Sequence, residues 1–151
     1  MNNNISYNTY SKEDFNDLLI MSQKLWKDLE EDKLKDILYK TVQSDKNKII
    51  IAKDVNSKFI AFAIFSIRYE YVEGSLNSPT GYLEGIFVET DYRKMGIAKE
   101  LVAIGESWCK DNSCLQIGSD TWLNDKDSRN FHKKIGFWEE EEVVHFLKNI
   151  E

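Results

Sequence analysis

At 151 residues with 42% apolar content, the chain is long enough for one well-buried core and too short for two ordinary domains, so residues 1–151 read as a single domain. A net charge of −6 argues against a general nucleic-acid binder, which needs a cationic surface to neutralise phosphates, and suits a cationic ligand. No run approaches the roughly 20 apolar residues of a membrane span, and the opening MNNNISYNTY lacks the basic and apolar segments of a signal peptide, so a cytoplasmic protein with no membrane partner is expected.

Residues 3–9 alternate enough for a short first strand. SKED follows, with Ser11 as N-cap and Asp14 three residues on, the spacing of a capping box, and a helix is expected to start there. Phe15, Leu18, Leu19, Ser22, Leu25, Trp26 and Leu29 recur at near-helical spacing, and Leu34, Ile37, Leu38 and Val42 repeat the pattern after the charged break EEDK, which makes two helices. KIIIAKD and KFIAFAIFSIRYEYV are rich in β-branched and aromatic residues, with DVNS as turn chemistry between them, and read as a hairpin.

EGSLNSPTG is a loop, YLEGIFV a short buried strand, residues 97–111 a helix with Ile97, Leu101, Ile104 and Trp108 on one face, and CLQIGS another strand. Cys109 and Cys114 are too few, with too little His around them, for a zinc site or a disulfide framework; they read as small apolar side chains, and no metal is expected. Asn124 or Asp125 can cap a helix running to about Ile135, Gly136 closes it as a glycine C-cap, and EEVVHFLKN makes a last strand. Strands dominate first and then alternate with helices, so the fold class is α/β with a mixed sheet. One proline, Pro79, and no Gly/Ser-rich segment leave no candidate interdomain linker.

Between YLEGIFV and the helix at 97 lies YRKMGIA, in which Arg93, Gly96 and Ala98 have the spacing Arg-x-x-Gly-x-Ala. A helix N-terminus presents unpaired amides and the positive end of its dipole, and small residues let the backbone approach an anion closely. The turn can therefore cradle a pyrophosphate; taken alone, it fits a solvated turn with a packing glycine equally well. It is not a P-loop, because no Gly-x-x-x-x-Gly-Lys-Ser/Thr occurs.

YLEGIFVETDYRKMGIAKELV, followed by SD after the next strand and by SRNFHKKIGF, resembles the GNAT superfamily of acetyl-CoA-dependent N-acetyltransferases. RYEYVEGSLNSPTGYLEGIFV, SDTWLNDKDS, NFHKKIGF and EEEEVVHFLK narrow the similarity to the aminoglycoside 6′-N-acetyltransferases, strongly over residues 60–150 and weakly before, where KLW at 24–26 matches. The resemblance implies a single GNAT-type domain, mostly antiparallel, with a splayed strand pair that takes acetyl-CoA. It implies cofactor contacts from Ile86, Phe87 and Val88 on the splayed strand, with the oxyanion donor near Phe87 or Val88, and from the turn Arg93, Lys94, Met95, Gly96, Ile97, Ala98 and Lys99. It also implies transfer of acetyl to the 6′-amine of an aminoglycoside, a cationic small-molecule partner, and a homodimer.

On the acceptor side, alternation places Glu84 on the face of Tyr82 and Ile86. A carboxylate there needs a partner, either structural hydrogen bonds or a substrate ammonium. Asp120 ends a strand in IGSD, a usual place for site residues at the edge of an α/β sheet, where a loop-capping aspartate is equally ordinary. The resemblance turns both toward the antibiotic as candidate bases, adds Glu141 as a third acidic contact, and makes Trp26, Tyr69 and Tyr71 walls of the sugar site. Where much of the superfamily has a tyrosine to protonate the leaving thiolate, this chain has His132, a candidate general acid or a hydrogen-bonded helix histidine. Acetylation of another small polyamine or peptide amine, and a silent acyl-CoA-binding domain, remain open at this point.

Overall fold

Period-two alternation splits the apolar strands between two cores. In the computed structural model, which describes residues 4–150, β1 (Ser6–Thr9), β2 (Asn47–Lys53), β3 (Phe59–Arg68) and β4 (Thr80–Val88) pair antiparallel in that order, and β5 (Ile117–Ser119) joins β4 in parallel. Ile50, Ala52, Ala63 and Phe65 face α3 (Ile97–Asp111), whose Ile97, Leu101, Val102 and Cys109 close one core. Ile49, Ile51, Phe62 and Ile64 face the other way, against Leu18, Leu19, Leu34 and Leu38 of α1 (Phe15–Leu25) and α2 (Glu31–Gln43). Each fully buried Leu, Ile, Val or Phe among them contributes about 1.5–3 kcal/mol, so the two cores together hold the sheet between its helices.

The local signals form as their chemistry requires. Ser11 and Asp14 make the capping box, although the first turn, Lys12–Asp14, is 3-10 and runs into α1. Burial works to raise the Asp14 carboxyl, but Lys53 at 2.6 Å and the Ser11 amide outweigh it and hold it below the usual carboxylate range. In the β2–β3 turn, Asp54 accepts from the amides of Asn56 and Lys58. Asp125 caps α4 (Lys126–Lys134) by accepting from the Ser128 amide, and Gly136 follows it at φ +98°. No described helix is long and apolar enough to cross a membrane.

Four sequence expectations are revised. The first strand, expected over residues 3–9, is observed as Ser6–Thr9, and residue 3 lies outside the described residues. β3 stops at Arg68, leaving YEYV to the loop. EEVVHFLKN is not a strand in this chain: residues 137–150 run without helix or strand, with Phe146 92% and Leu147 99% exposed. A strand needs a ladder partner, and none of the described strands supplies one.

The fourth revision concerns Glu84. Ile64 opposes Gly85 and Phe65 opposes Leu83, so Glu84 is the extra residue of a β-bulge. The insertion breaks the alternation: Leu83, Ile86 and Val88 pack with the α3 core, whereas Phe87 packs with the α1/α2 core. Glu84 shares a face with Tyr82 but not with Ile86.

Candidate active site

β4 and β5 part company at one edge of the sheet. Their parallel pairing covers only Gly81–Leu83 against Ile117–Ser119, so from Glu84 onward the outer edge of β4 has no strand beside it among the described residues. The amide of Glu89 donates to the Ile60 carbonyl and so points toward β3. Alternation then turns the Phe87 amide the same way and the amides of Ile86 and Val88 toward the open side. The Val88 carbonyl agrees, since it points outward to accept from Arg93 Nε at 2.9 Å.

The residues expected to contact the cofactor lie around this opening. Lys94 and Gly96 both adopt left-handed backbone, at φ +62° and +81°, which turns the chain sharply into α3. No side chain caps the helix, so the amides of Ile97, Ala98 and Lys99 precede the first intrahelical bond, from Glu100 to the Gly96 carbonyl. A Cβ built on Gly96 would meet nothing within 4 Å, so the surface above these amides is open to a ligand. This is a cradle that fits the phosphates of acetyl-CoA. Arg93, besides holding the Val88 carbonyl, lies over the Phe87 ring at 5.6 Å, while Lys94 and Met95 are exposed at the rim.

The acceptor-side residues are joined by a polar network that occupies the face of Phe62 and Ile64 after that face turns polar. Ser66 and Arg68, next in the same alternation, both reach Glu84. Glu84 Oε1 accepts from Ser66 Oγ at 2.5 Å, Arg68 Nη2 at 2.9 Å and Arg68 Nε at 3.2 Å, and Oε2 accepts from Arg68 Nη2 at 3.0 Å. The Arg68 guanidinium lies 3.4 Å from the centre of the Tyr82 ring, and the Tyr82 hydroxyl donates to Asp120 Oδ2 at 2.5 Å. Burial first, then the bond to Asp120, pushes the Tyr82 phenol well above its ordinary range, so it keeps its proton and stays a donor. Trp26 covers Gly85 so closely that a Cβ there would lie 2.6 Å from the indole, which sets the ring beside the bulge.

The remaining candidates lie differently. His132 has both nitrogens engaged, Nδ1 with the Ser128 carbonyl at 2.7 Å and Nε2 with Ser119 Oγ at 2.8 Å, and Phe131 and Phe137 pack edge-on around it. Tyr69 and Tyr71 are exposed on the loop after β3, with Lys46 over the Tyr69 ring. Glu141 is exposed on the C-terminal arm, makes no ion pair among the described residues, and is not drawn into the Glu84–Asp120 network. Its neighbour Glu139 pairs with Arg129 and Lys133, which hold its carboxyl down to about 2. Cys109 is buried, and burial with Cys114 and Glu106 nearby pushes its thiol up to about 12, so it is a core side chain and not a nucleophile. Among the described residues no cluster of His, Cys, Asp or Glu could hold a metal.

Sequence reasoning did not single out Ser66, Arg68 or Tyr82. The signal available was the alternation itself, which carries Phe62, Ile64, Ser66 and Arg68 along one face.

Comparison with known proteins agrees with this geometry. The model of the acetyltransferase (GNAT) family matches residues 12–137. Aminoglycoside N(6′)-acetyltransferase type 1 from Acinetobacter genomosp. 13 is 39% identical over 134 residues, 89% of this chain and 91% of that one. The enzyme of the same name from Acinetobacter baumannii is 39% identical over 140 residues, 93% and 95% of the two chains. The crystal structure of the aminoglycoside 6′-N-acetyltransferase AAC(6′)-Ih from Acinetobacter baumannii superposes with a TM-score of 0.90 at 36% identity, covering 97% of this chain and 99% of that chain. AAC(6′)-Iy in complex with the bisubstrate analogue CoA-S-monomethyl-acetylneamine does so with a TM-score of 0.90 at 30% identity, covering 98% and 100%. The chain belongs to the acetyltransferase (GNAT) family and, within it, to the aminoglycoside 6′-N-acetyltransferases.

Proposed function

We propose that the protein transfers acetyl from acetyl-CoA to the 6′-amine of an aminoglycoside, and so confers resistance, as a single domain over residues 1–151 acting in the cytoplasm as a homodimer. The observation that carries this reading is the linked pair of carboxylates, Glu84 and Asp120, beside Trp26 at the opening between β4 and β5, with the bare amides of α3 serving the same opening.

Direct transfer requires the amine to lose a proton before it attacks the thioester. For an amine of pKa near 10.4 that costs about 4–5 kcal/mol at pH 7, so a carboxylate in reach, directly or through water, has work to do. Asp120 suits the role of base, because it is exposed and its one hydrogen bond among the described residues comes from Tyr82, while Glu84 is already occupied by Ser66 and Arg68. Glu84 then serves to hold a substrate ammonium. The outward amide of Val88 is the candidate donor to the acetyl carbonyl oxygen as negative charge develops there. His132, with both nitrogens spent, ties α4 to β5 in this reading.

Support for the homodimer comes from the arm. Val144, Phe146 and Leu147 are exposed in a segment with strand composition and no strand partner, and Trp122 and Leu123 are exposed on the loop after Asp120. Two copies carrying the same unpaired segment can satisfy each other reciprocally about a two-fold axis.

The test is turnover of acetyl-CoA with a 6′-amino aminoglycoside such as tobramycin, read beside the thermal shift produced by CoA. Expected are CoA stabilisation and acetylation at the 6′-amine. Tight CoA binding with no turnover of any such aminoglycoside overturns the reading in favour of another amine or a silent binder. Sedimentation equilibrium should give twice the 17.7 kDa chain mass, and a monomer at micromolar concentration removes the dimer.

A further inference from the structure

We propose that Arg68, held over the Tyr82 ring, is a positioning residue that sets the orientation of Glu84 for the acceptor amine; this rests on the proposed role of Glu84. The guanidinium reaches both carboxylate oxygens, at 2.9 Å and 3.0 Å through Nη2, with Nε at 3.2 Å adding a second bond to Oε1. Ser66 adds a further donor to Oε1, so that oxygen is saturated while Oε2 receives a single bond. The pair therefore presents one particular oxygen, Oε2, to an incoming ammonium.

The guanidinium itself has little freedom. Its Cζ sits 3.4 Å from the Tyr82 ring centre, and Tyr82 is buried and anchored through its hydroxyl to Asp120. One aromatic residue thus connects the group that orients Glu84 with the other site carboxylate. Glu84 needs such support because it sits on the bulge, where no residue of β3 lies opposite to hold its backbone in register.

A stabilising role for the pair is a weak alternative. Both side chains are partly exposed, 38% for Arg68 and 33% for Glu84, and ion pairs of that exposure contribute little to folding. The consequence of losing Arg68 belongs in the rate. Lysine cannot replace it, because an ammonium has a single nitrogen and so lacks the Nε bond to Oε1 that fixes the guanidinium against the carboxylate, and it lacks the planar group that lies over Tyr82.

The experiment is a double-mutant cycle on the full chain, with kcat and KM for tobramycin measured for wild type, Arg68→Ala, Glu84→Gln and the double variant, and CoA affinity as the control. Arg68→Ala should lower kcat by about tenfold in the Glu84 protein, without raising KM, and by less than about twofold in the Glu84→Gln background. Arg68→Lys should behave like Arg68→Ala, and CoA affinity should stay at the wild-type value throughout. Unchanged kcat in Arg68→Ala, an equal loss in both backgrounds, a raised KM in place of the kcat loss, or full rescue by lysine overturns the proposal. If Glu84→Gln alone turns over like wild type, the site reading and this proposal fall together, which separates that failure from a failure of Arg68 alone.

Discussion

The two sides of the opening between β4 and β5 are prepared in opposite ways. On the α3 side the polar groups are left bare: the first-turn amides have no cap, and nothing stands above Gly96. On the carboxylate side they are engaged, Glu84 by Arg68 and Ser66 and Asp120 by Tyr82. A polyphosphate chain brings many acceptors of its own and is best met by unsatisfied donors. An acceptor amine brings few contacts to the reacting atom, so its carboxylates must be oriented before it arrives.

The sharpest way to break this contrast is to unbalance the carboxylates. Asp120→Asn keeps the shape and the bond from Tyr82 but removes the proposed base, and should lower kcat by about 10²–10⁴. Glu84→Gln should lower kcat by less, about tenfold, because in the proposed role the group it removes orients the amine and is not the base. The pH profile of kcat for Asp120→Asn should lose its alkaline rise, whereas that of Glu84→Gln should keep it. Wild-type turnover in both variants would show that neither carboxylate meets substrate.

The cofactor side is tested by filling its open space. Gly96→Val places a branched side chain where the structure has room, at φ +81°, and should lower CoA affinity by about tenfold to a hundredfold in calorimetry, with backbone strain of about 1–3 kcal/mol added to the blocked approach. Gly96→Ala shares most of the backbone penalty with less bulk. A larger affinity loss for valine than for alanine separates lost space from lost conformation, and undiminished affinity in folded Gly96→Val removes the cradle.

The same contrast explains what was legible in the sequence. The cofactor turn is local: Arg93, Gly96 and Ala98 lie within one turn of chain and lead into a helix whose start at Ile97 the apolar spacing marks. The acceptor network is assembled across β3, β4 and β5, so its connecting residues, Ser66, Arg68 and Tyr82, read as ordinary strand positions. The bulge at Glu84 was hidden for the same reason, since an extra residue is defined only against the partner strand. In the arm, Val143, Val144 and Phe146 carry strand composition, but composition does not say which chain provides the ladder.

The smallest expected effect belongs to Lys94, and it separates charge from conformation within the cofactor turn. Lys94 holds φ +62°, a left-handed conformation that costs a non-glycine residue roughly 1 kcal/mol, and its side chain is exposed at the rim. Lys94→Gly removes that cost and should raise Tm by about 2–4 °C, less the entropy glycine returns to the unfolded chain. The lost charge is solvated and screened, so CoA affinity should fall no more than about threefold at physiological salt. Lys94→Ala loses the same charge and keeps the unfavourable backbone, so its affinity should match that of Lys94→Gly while its Tm stays near wild type. Equal Tm for the two variants would mean that the turn stores no strain at this position. An affinity loss of tenfold or more in both would move Lys94 from the rim into direct contact with the phosphates, and the cofactor side would then depend on a side-chain charge as well as on bare amides.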